Sequence, residues 1–149
     1  MSAKVLTFGN FKGGTGKTTN STMIGFELSN RGQKVLLLDL DPQGNATNLY
    51  LKTKAVLGGE IVIFNSTLMS AIKNKDLSSA IINIKDNLDV LPSATDFSLF
   101  PRYMEFLENY EDRVQYLSKL IEPLKEKYDY IIIDIPPTIS LITDSALYM

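Results

Sequence analysis

The sequence predicts an α/β protein with a doubly wound, mainly parallel sheet. Short β-prone runs alternate with segments that have helical spacing. Two of the runs are continuously apolar, as expected for parallel strands covered on both faces. The most suggestive polar clusters directly follow such runs. Alternating strands and helices form parallel sheets with right-handed crossovers, and these sheets bind ligands at the carboxyl ends of their strands. We therefore expect a binding site at that edge.

The first β-α-β unit is predicted from the N-terminal third of the chain. Residues 5–8 predict a strand, residues 18–31 a helix and residues 35–38 a second, fully apolar strand. Gly32 is placed as the C-terminal cap of the helix. One side of this helix carries three apolar residues, Met23, Ile24 and Leu28. The unit is complete by Asp39.

The rest of the chain predicts shorter elements and two strands. Short helices are expected over residues 46–51, 66–73 and 77–82, a third strand over 88–91, and a final helix over 139–149. Two helices covering one sheet face are predicted from apolar residues at helical spacing: Tyr103, Phe106, Leu107 and Tyr110 in the first, then Val114, Leu117, Leu120, Ile121 and Leu124. Pro123 predicts a kink or break. Residues 130–133 are the most apolar strand.

Composition limits the classes of protein that fit. With 149 residues, 44% of them hydrophobic, the chain can build one domain over residues 1–149. The net charge of -2 gives no general attraction for nucleic acid, and the absence of cysteine and histidine excludes disulfides and thiolate metal sites. No run approaches the roughly 18 apolar residues of a membrane span, so we expect a cytoplasmic protein. The final helix stops without a cap, so we expect a C-terminal truncation.

A glycine-rich loop lies between the first strand and the first helix. Its sequence is Lys12, Gly13, Gly14, Thr15, Gly16, Lys17, Thr18 and Thr19. A helix N-terminus with exposed backbone N–H groups binds anions, and the glycines let the backbone approach phosphates closely. Lys17 adds a positive charge and the Thr18 hydroxyl can ligate Mg²⁺. The pattern predicts a P-loop in which Phe11 stands where the usual motif has glycine. The alternative interpretation is a plain glycine-rich turn after a strand.

Three aspartates follow the predicted strands. Asp41 comes after a buried strand and before a Pro-Gln-Gly turn, where its carboxylate could orient an attacking water. Asp39 is interpreted as a support within the site, with a weaker alternative as a metal ligand. Asp134 ends the most apolar strand, where an unpartnered carboxylate is costly, so Mg²⁺ or its waters are a plausible partner.

These motifs resemble those of a known family. Residues 12–18 resemble the deviant Walker A motif of the ParA/MinD family, in which the extra Lys12 is the signature. Residues 39–47 (DLDPQGNAT) resemble the second motif of the ParA branch, and residues 131–137 (IIIDIPP) its Walker B motif. The resemblance covers nearly the whole chain, with the motifs in the family's order. It implies a P-loop NTPase fold.

The resemblance also implies an activity and partners. It implies a homodimer with ATP and Mg²⁺ between the subunits, in which Lys12 reaches the phosphate of the facing subunit, with Lys17 and Asp41 completing the catalytic set. A ParB-like, centromere-binding partner that stimulates hydrolysis, nonspecific DNA bound mainly through residues absent here, and a nucleoid-associated location are expected. The alternatives are a MinD-like membrane-associated ATPase and a noncatalytic nucleotide- or partner-binding module.

Overall fold

The computed structural model describes residues 2–9 and 16–149, and within them five strands form one sheet in the order β1-β5-β2-β4-β3. The strands are β1 (Lys4–Phe8), β2 (Val35–Asp39), β3 (Ile82–Lys85), β4 (Leu88–Leu91) and β5 (Tyr130–Asp134). All neighbouring pairs are parallel except β3 with β4. The predicted α/β fold with a mainly parallel sheet is therefore confirmed.

Helices connect the strands and cover the sheet. The described residues contain six α-helices: α1 (Lys17–Asn30), α2 (Asn45–Gly58), α3 (Leu68–Lys73), α4 (Phe100–Tyr103), α5 (Tyr110–Ile121) and α6 (Leu141–Tyr148). Gly32 has φ +81°, as expected of a residue that ends a helix. Helix α2 is longer than its predicted residues 46–51. Pro123 follows the end of α5 in a 3₁₀ turn, so the predicted break is confirmed.

Two expectations for the middle of the chain are wrong. Residues 77–82 do not form one helix, because Leu77–Ala80 is a 3₁₀ turn and Ile82 already begins the antiparallel edge strand β3. The helix predicted from the spacing of Tyr103, Phe106, Leu107 and Tyr110 is not a single helix either. There α4 passes into a 3₁₀ turn, and the Asn109 side chain accepts a hydrogen bond from the Glu111 amide, which starts α5 as a new helix.

The apolar core lies on both faces of the sheet. On one face, alternate residues of β2 and β5, including Leu36 and Ile131, pack with buried residues of α3, α5 and α6. On the other, Val35, Leu37 and Ile132 face α1 and α2 in a smaller cluster. Strands β2 and β5 lie in the middle of the sheet, which explains why they are the most apolar runs of the sequence.

Helix α1 turns an unexpected side toward the sheet. Its buried residues are small or hydroxylated: Ser21, Thr22, Gly25 and Ser29. Of the three apolar residues noted in the sequence, Met23 is 65% exposed and Ile24 is 38% exposed, while Leu28 is partly buried against the smaller cluster. A glycine is required at position 25, because a Cβ there would clash with the Tyr50 hydroxyl of α2. The absence of that side chain allows α1 and α2 to approach each other closely.

Candidate functional site

Two aspartates lie side by side where the central strands end. Asp39 at the end of β2 is the register partner of Asp134 at the end of β5, and both carboxylates are fully buried. Partners in parallel strands point to the same face, so both side chains lie under α1 and α2. Asp41 follows two residues after Asp39 and is 5% exposed. The sheet therefore brings three carboxylates to one edge, as the sequence predicts.

The start of α1 brings hydroxyl groups to Asp134. The Thr18 hydroxyl donates to Asp134 Oδ2 at 2.9 Å, and the Ser21 hydroxyl donates to Oδ1 at 3.2 Å. Gly16 precedes the helix with φ +80°, a conformation that favours glycine. Ser21 had no predicted role, although its position one helical turn after Thr18 places it on the same side of α1.

Burial and hydrogen bonding act in opposite directions on Asp134. Burial raises the pKa of its carboxyl, while the hydrogen bond from Thr18 and the charge of Lys17 lower it. A hydroxyl and a carboxylate in contact at the N-terminus of a helix are oxygen ligands of the type that Mg²⁺ prefers. The residues present therefore fit the predicted pairing of Thr18 and Asp134 around a hydrated Mg²⁺ ion.

Asp41 is held by its own turn and faces Lys17. Its Oδ1 accepts a hydrogen bond from the Gln43 amide at 2.9 Å, and its backbone carbonyl accepts one from the Gly44 amide. Its Oδ2 lies 3.9 Å from Lys17 Nζ. The hydrogen bond from the Gln43 amide fixes the carboxylate beside the start of α1. One oxygen thereby points toward the end of the loop that carries Lys17.

Asp39 is bonded entirely to neighbouring protein groups in the described structure. Its Oδ1 accepts from the Asp41 amide at 3.0 Å, and its Oδ2 accepts from both the Thr47 amide at 2.9 Å and the Thr47 hydroxyl at 2.7 Å. Burial raises the pKa of Asp39 to about 7, and the hydrogen bonds from Thr47 oppose that shift. These contacts favour a supporting role for Asp39 over the weaker interpretation as a metal ligand.

A cavity of about 740 Å³ opens beside these groups. Its lining combines the start of α1, the Asp41 turn, the two prolines that end the Walker B-like motif with the residues after them, and a segment around Ser98 to which the sequence did not point. The lining residues are Gly16, Lys17, Thr18, Thr19, Asp41, Pro42, Gln43, Asn45, Ser98, Pro101, Pro136, Pro137, Thr138, Ser140 and Ile142. The predicted loop residues Lys12, Gly13, Gly14 and Thr15 lie outside the described residues. The described part of the predicted loop, from Gly16 to Thr19, thus lies on the same cavity as Asp41.

A family model for an AAA domain, AAA_31, matches residues 3–149. The chain belongs to this family. It is 36% identical to the sporulation initiation inhibitor protein Soj of Bacillus subtilis over 147 residues, covering 97% of this chain and 54% of Soj. It is 33% identical to the chromosome-partitioning ATPase Soj of Treponema pallidum over 144 residues, covering 97% of this chain and 53% of that protein. The resemblance to the ParA branch is thereby confirmed.

Solved structures agree with this assignment. A plasmid partition protein from Borrelia burgdorferi matches with a TM-score of 0.79 and 31% identity, covering 99% of this chain and 62% of that one. Cobyrinic acid a,c-diamide synthase from Mycobacterium smegmatis, with bound ADP and magnesium, matches with a TM-score of 0.81 and 28% identity, covering 97% and 56%. The P-loop NTPase fold is therefore confirmed, and the chain spans about half the length of the Soj relatives.

Across residues 2–9 and 16–149, none of the helices combines the length and the apolar character needed to cross a bilayer.

Proposed function

We propose that this chain is the ATP-binding and ATP-hydrolysing domain of a ParA-type partition switch. The observation that supports this most strongly is the meeting of Lys17, Thr18 and Asp41 on one cavity, with Asp134 bonded to Thr18 behind them. A cation and a helix N-terminus suit phosphate, a hydroxyl beside a carboxylate suits Mg²⁺, and a fixed acceptor suits water. The roles proposed for Lys17, Thr18, Asp41 and Asp134 are supported by this arrangement, and Lys12 lies outside the described residues.

Phosphate binding would rest on the start of α1. The N-terminus of this 14-residue helix carries partial positive charge, and Lys17 lies 14% exposed at its first position. The pairing of Lys17 with Asp41 spans 3.9 Å, so the ammonium group is only loosely engaged by the carboxylate. A phosphate group entering the cavity can therefore take Lys17 as a partner. The predicted loop residues Lys12, Gly13, Gly14 and Thr15 would complete this site.

Thr18 and Asp134 would hold the metal side of the site. Bound Mg²⁺ would neutralise charge that develops on the phosphate oxygens during transfer. Thr18 can offer its hydroxyl oxygen as a ligand, while the buried Asp134 accepts a hydrogen bond from Thr18 and would accept one from a water on the ion. Ser21 supports this arrangement by fixing the second oxygen of Asp134.

Asp41 would act on the attacking water. In phosphoryl transfer the protein mainly positions groups and stabilises charge, so a fixed hydrogen-bond acceptor is the required device. Asp41 Oδ1 holds the turn through the Gln43 amide, and Oδ2 is the oxygen directed toward Lys17. The proposed division leaves nucleotide binding to the loop and hydrolysis to Asp41.

The family resemblance supports a proposal for the larger assembly. We propose a homodimer with ATP between the subunits, in which Lys12 contacts the phosphate of the facing subunit, and a ParB-like protein as the stimulating partner. Nonspecific DNA would be bound mainly outside this chain, because its net charge of -2 gives little attraction for a phosphate backbone. A nucleoid-associated location belongs to the same proposal.

The direct test of the site is a calorimetric titration with MgATP. The Lys17→Ala variant should lose binding, since it removes a phosphate-facing charge and leaves the buried core unchanged. Lys119→Ala is the matched control, because this exposed lysine lies on α5, and it should bind like the wild type. Unchanged affinity in Lys17→Ala would overturn the assigned phosphate site. Phosphate release by the wild type then separates an ATPase from the noncatalytic alternative.

A further inference from the structure

A buried hydroxyl on α2 joins three parts of the site. The Thr47 side chain is 1% exposed. It donates to Asp39 Oδ2 at 2.7 Å and accepts a hydrogen bond from the Ser93 amide at 3.0 Å. Asp39 in turn holds the Asp41 amide at 3.0 Å. One continuous chain of hydrogen bonds therefore runs from the segment after β4, through Thr47 and Asp39, to the backbone of Asp41.

The loop that carries Asp41 is also seated closely on that segment. Gly44 has φ +67°, and a Cβ at this position would lie 3.1 Å from the Ser93 carbonyl oxygen. The loop thus contacts the segment after β4 at Gly44, and Thr47 bonds to the same segment. Farther along, the same segment supplies Ser98 and Pro101 to the wall of the cavity. The position of Asp41 is consequently tied to a segment that also forms part of the wall of its own cavity.

Thr47 does not itself line the cavity. Any influence on the reaction must therefore pass through its partners, and of these Asp39 is the one bonded to the backbone of Asp41. A threonine suits this place because its hydroxyl donates to one neighbour and accepts from another at the same time. Valine has nearly the same shape but can do neither, so it would leave a buried carboxylate one donor short and a buried amide unpaired.

We propose that Thr47 is a positioning residue that sets the place of Asp41 by holding Asp39, an inference that rests on the proposed role of Asp41 in ATP hydrolysis. Thr47 orients the Asp39 carboxylate, and Asp39 fixes the Asp41 amide. The Asp41 side chain then meets the water at the correct place. Loss of the hydroxyl loosens this loop and leaves the phosphate-binding residues of α1 in place.

The test compares nucleotide affinity with single-turnover hydrolysis in the native protein. For Thr47→Val we expect MgATP affinity within about threefold of the wild type and a hydrolysis rate lowered at least tenfold, because a small misplacement of a catalytic group is costly. Thr47→Ser keeps the hydroxyl and should restore the rate to within about threefold. Thr53→Val is the matched control on the same helix, since among the described residues the Thr53 hydroxyl bonds only to the Leu49 carbonyl, and it should change neither quantity.

Two results would overturn the proposal. Wild-type hydrolysis by Thr47→Val is one, and an equal fall of affinity and rate that Thr47→Ser does not restore is the other. Should Thr47→Val not fold, Asp39→Asn serves as the second variant, because it presents an amide donor where Thr47 needs an acceptor. It should show the same separation of affinity from rate, and wild-type hydrolysis by Asp39→Asn would count against the proposal equally.

A measurement without nucleotide keeps this inference separate from the proposed function. The Asp41 amide donates to a buried acceptor and should exchange its hydrogen slowly. Exchange at this amide should be at least tenfold faster in Thr47→Val and unchanged in Thr53→Val. Equal exchange in Thr47→Val and the wild type would refute the positioning role even if ATP hydrolysis is confirmed. A wild type that hydrolyses no ATP would refute the proposed function and leave the exchange result to decide on Thr47.

Discussion

The two faces of the sheet are covered by helices that pack in different ways. Helix α5 buries Leu117 and Ile121, which belong to the apolar spacing seen in the sequence. Helix α1 buries Ser21 and Gly25 among other small residues, while Met23 stays 65% exposed. The difference follows from the site, because α1 must place hydroxyl groups against Asp134 and lie close to α2. Beside a binding site, local chemistry outweighs apolar spacing in deciding which side of a helix is buried.

The largest effect on stability is expected on α5, where the apolar residues at helical spacing are the buried ones. Leu117→Ala removes a fully buried side chain from the core under α5 and should lower the free energy of unfolding by about 3 kcal/mol. Urea denaturation would measure this. A loss below about 1 kcal/mol would show that α5 packs loosely and that the contrast with α1 is not real.

A smaller loss is expected at the close contact between α1 and α2. Gly25→Ala places a Cβ against the Tyr50 hydroxyl, which is buried and donates to the Thr22 carbonyl at 2.7 Å. The free energy of unfolding should fall by about 1–3 kcal/mol, the usual range for overpacking. Gly58→Ala is the matched control, since an added Cβ there meets no described residue within 4 Å, and it should not destabilise.

A double variant sharpens this prediction. Tyr50→Phe removes the hydroxyl that a Cβ at residue 25 would meet, so the loss in Gly25→Ala with Tyr50→Phe should be smaller than the sum of the two single losses. Additive losses would mean that the strain at Gly25 does not come from Tyr50, and the explanation for this glycine would be wrong.

The smallest effect is expected on the outward side of α1. Met23→Ala should change the free energy of unfolding by less than about 0.5 kcal/mol, because most of the Met23 side chain is already in solvent. Thermal unfolding followed by circular dichroism is sufficient here. A loss as large as that of Leu117→Ala would place Met23 in the core and reverse the comparison.

The parts of the fold that depend on local pattern could be predicted from the sequence. The buried runs of β2 and β5 and the break at Pro123 were predicted in this way. The edge strand β3 could not be, because its four residues include Asn83 and Lys85 and have no continuous apolar run. Residues 103–110 were wrongly predicted to form one helix, because helical spacing does not reveal where one helix ends and the next is capped.

The site could be predicted only as far as its motifs extend. Asp41 and Asp134 stand at strand ends, and the topology then places them together. The bonds of Ser21 and Thr47 join residues that are 113 and 46 positions apart, from Ser21 to Asp134 and from Ser93 to Thr47. Such contacts depend on the packing of α1 and α2 on the sheet, which no local pattern encodes.

The measurement that tests the account most directly is hydrolysis by an Asp41→Asn variant of the native protein. Asparagine can still accept from the Gln43 amide, so the turn is kept, but it no longer offers a carboxylate to the water. The account predicts MgATP affinity within about threefold of the wild type and single-turnover hydrolysis at least tenfold slower, as expected for a group that acts on the water. Hydrolysis at the wild-type rate would contradict it.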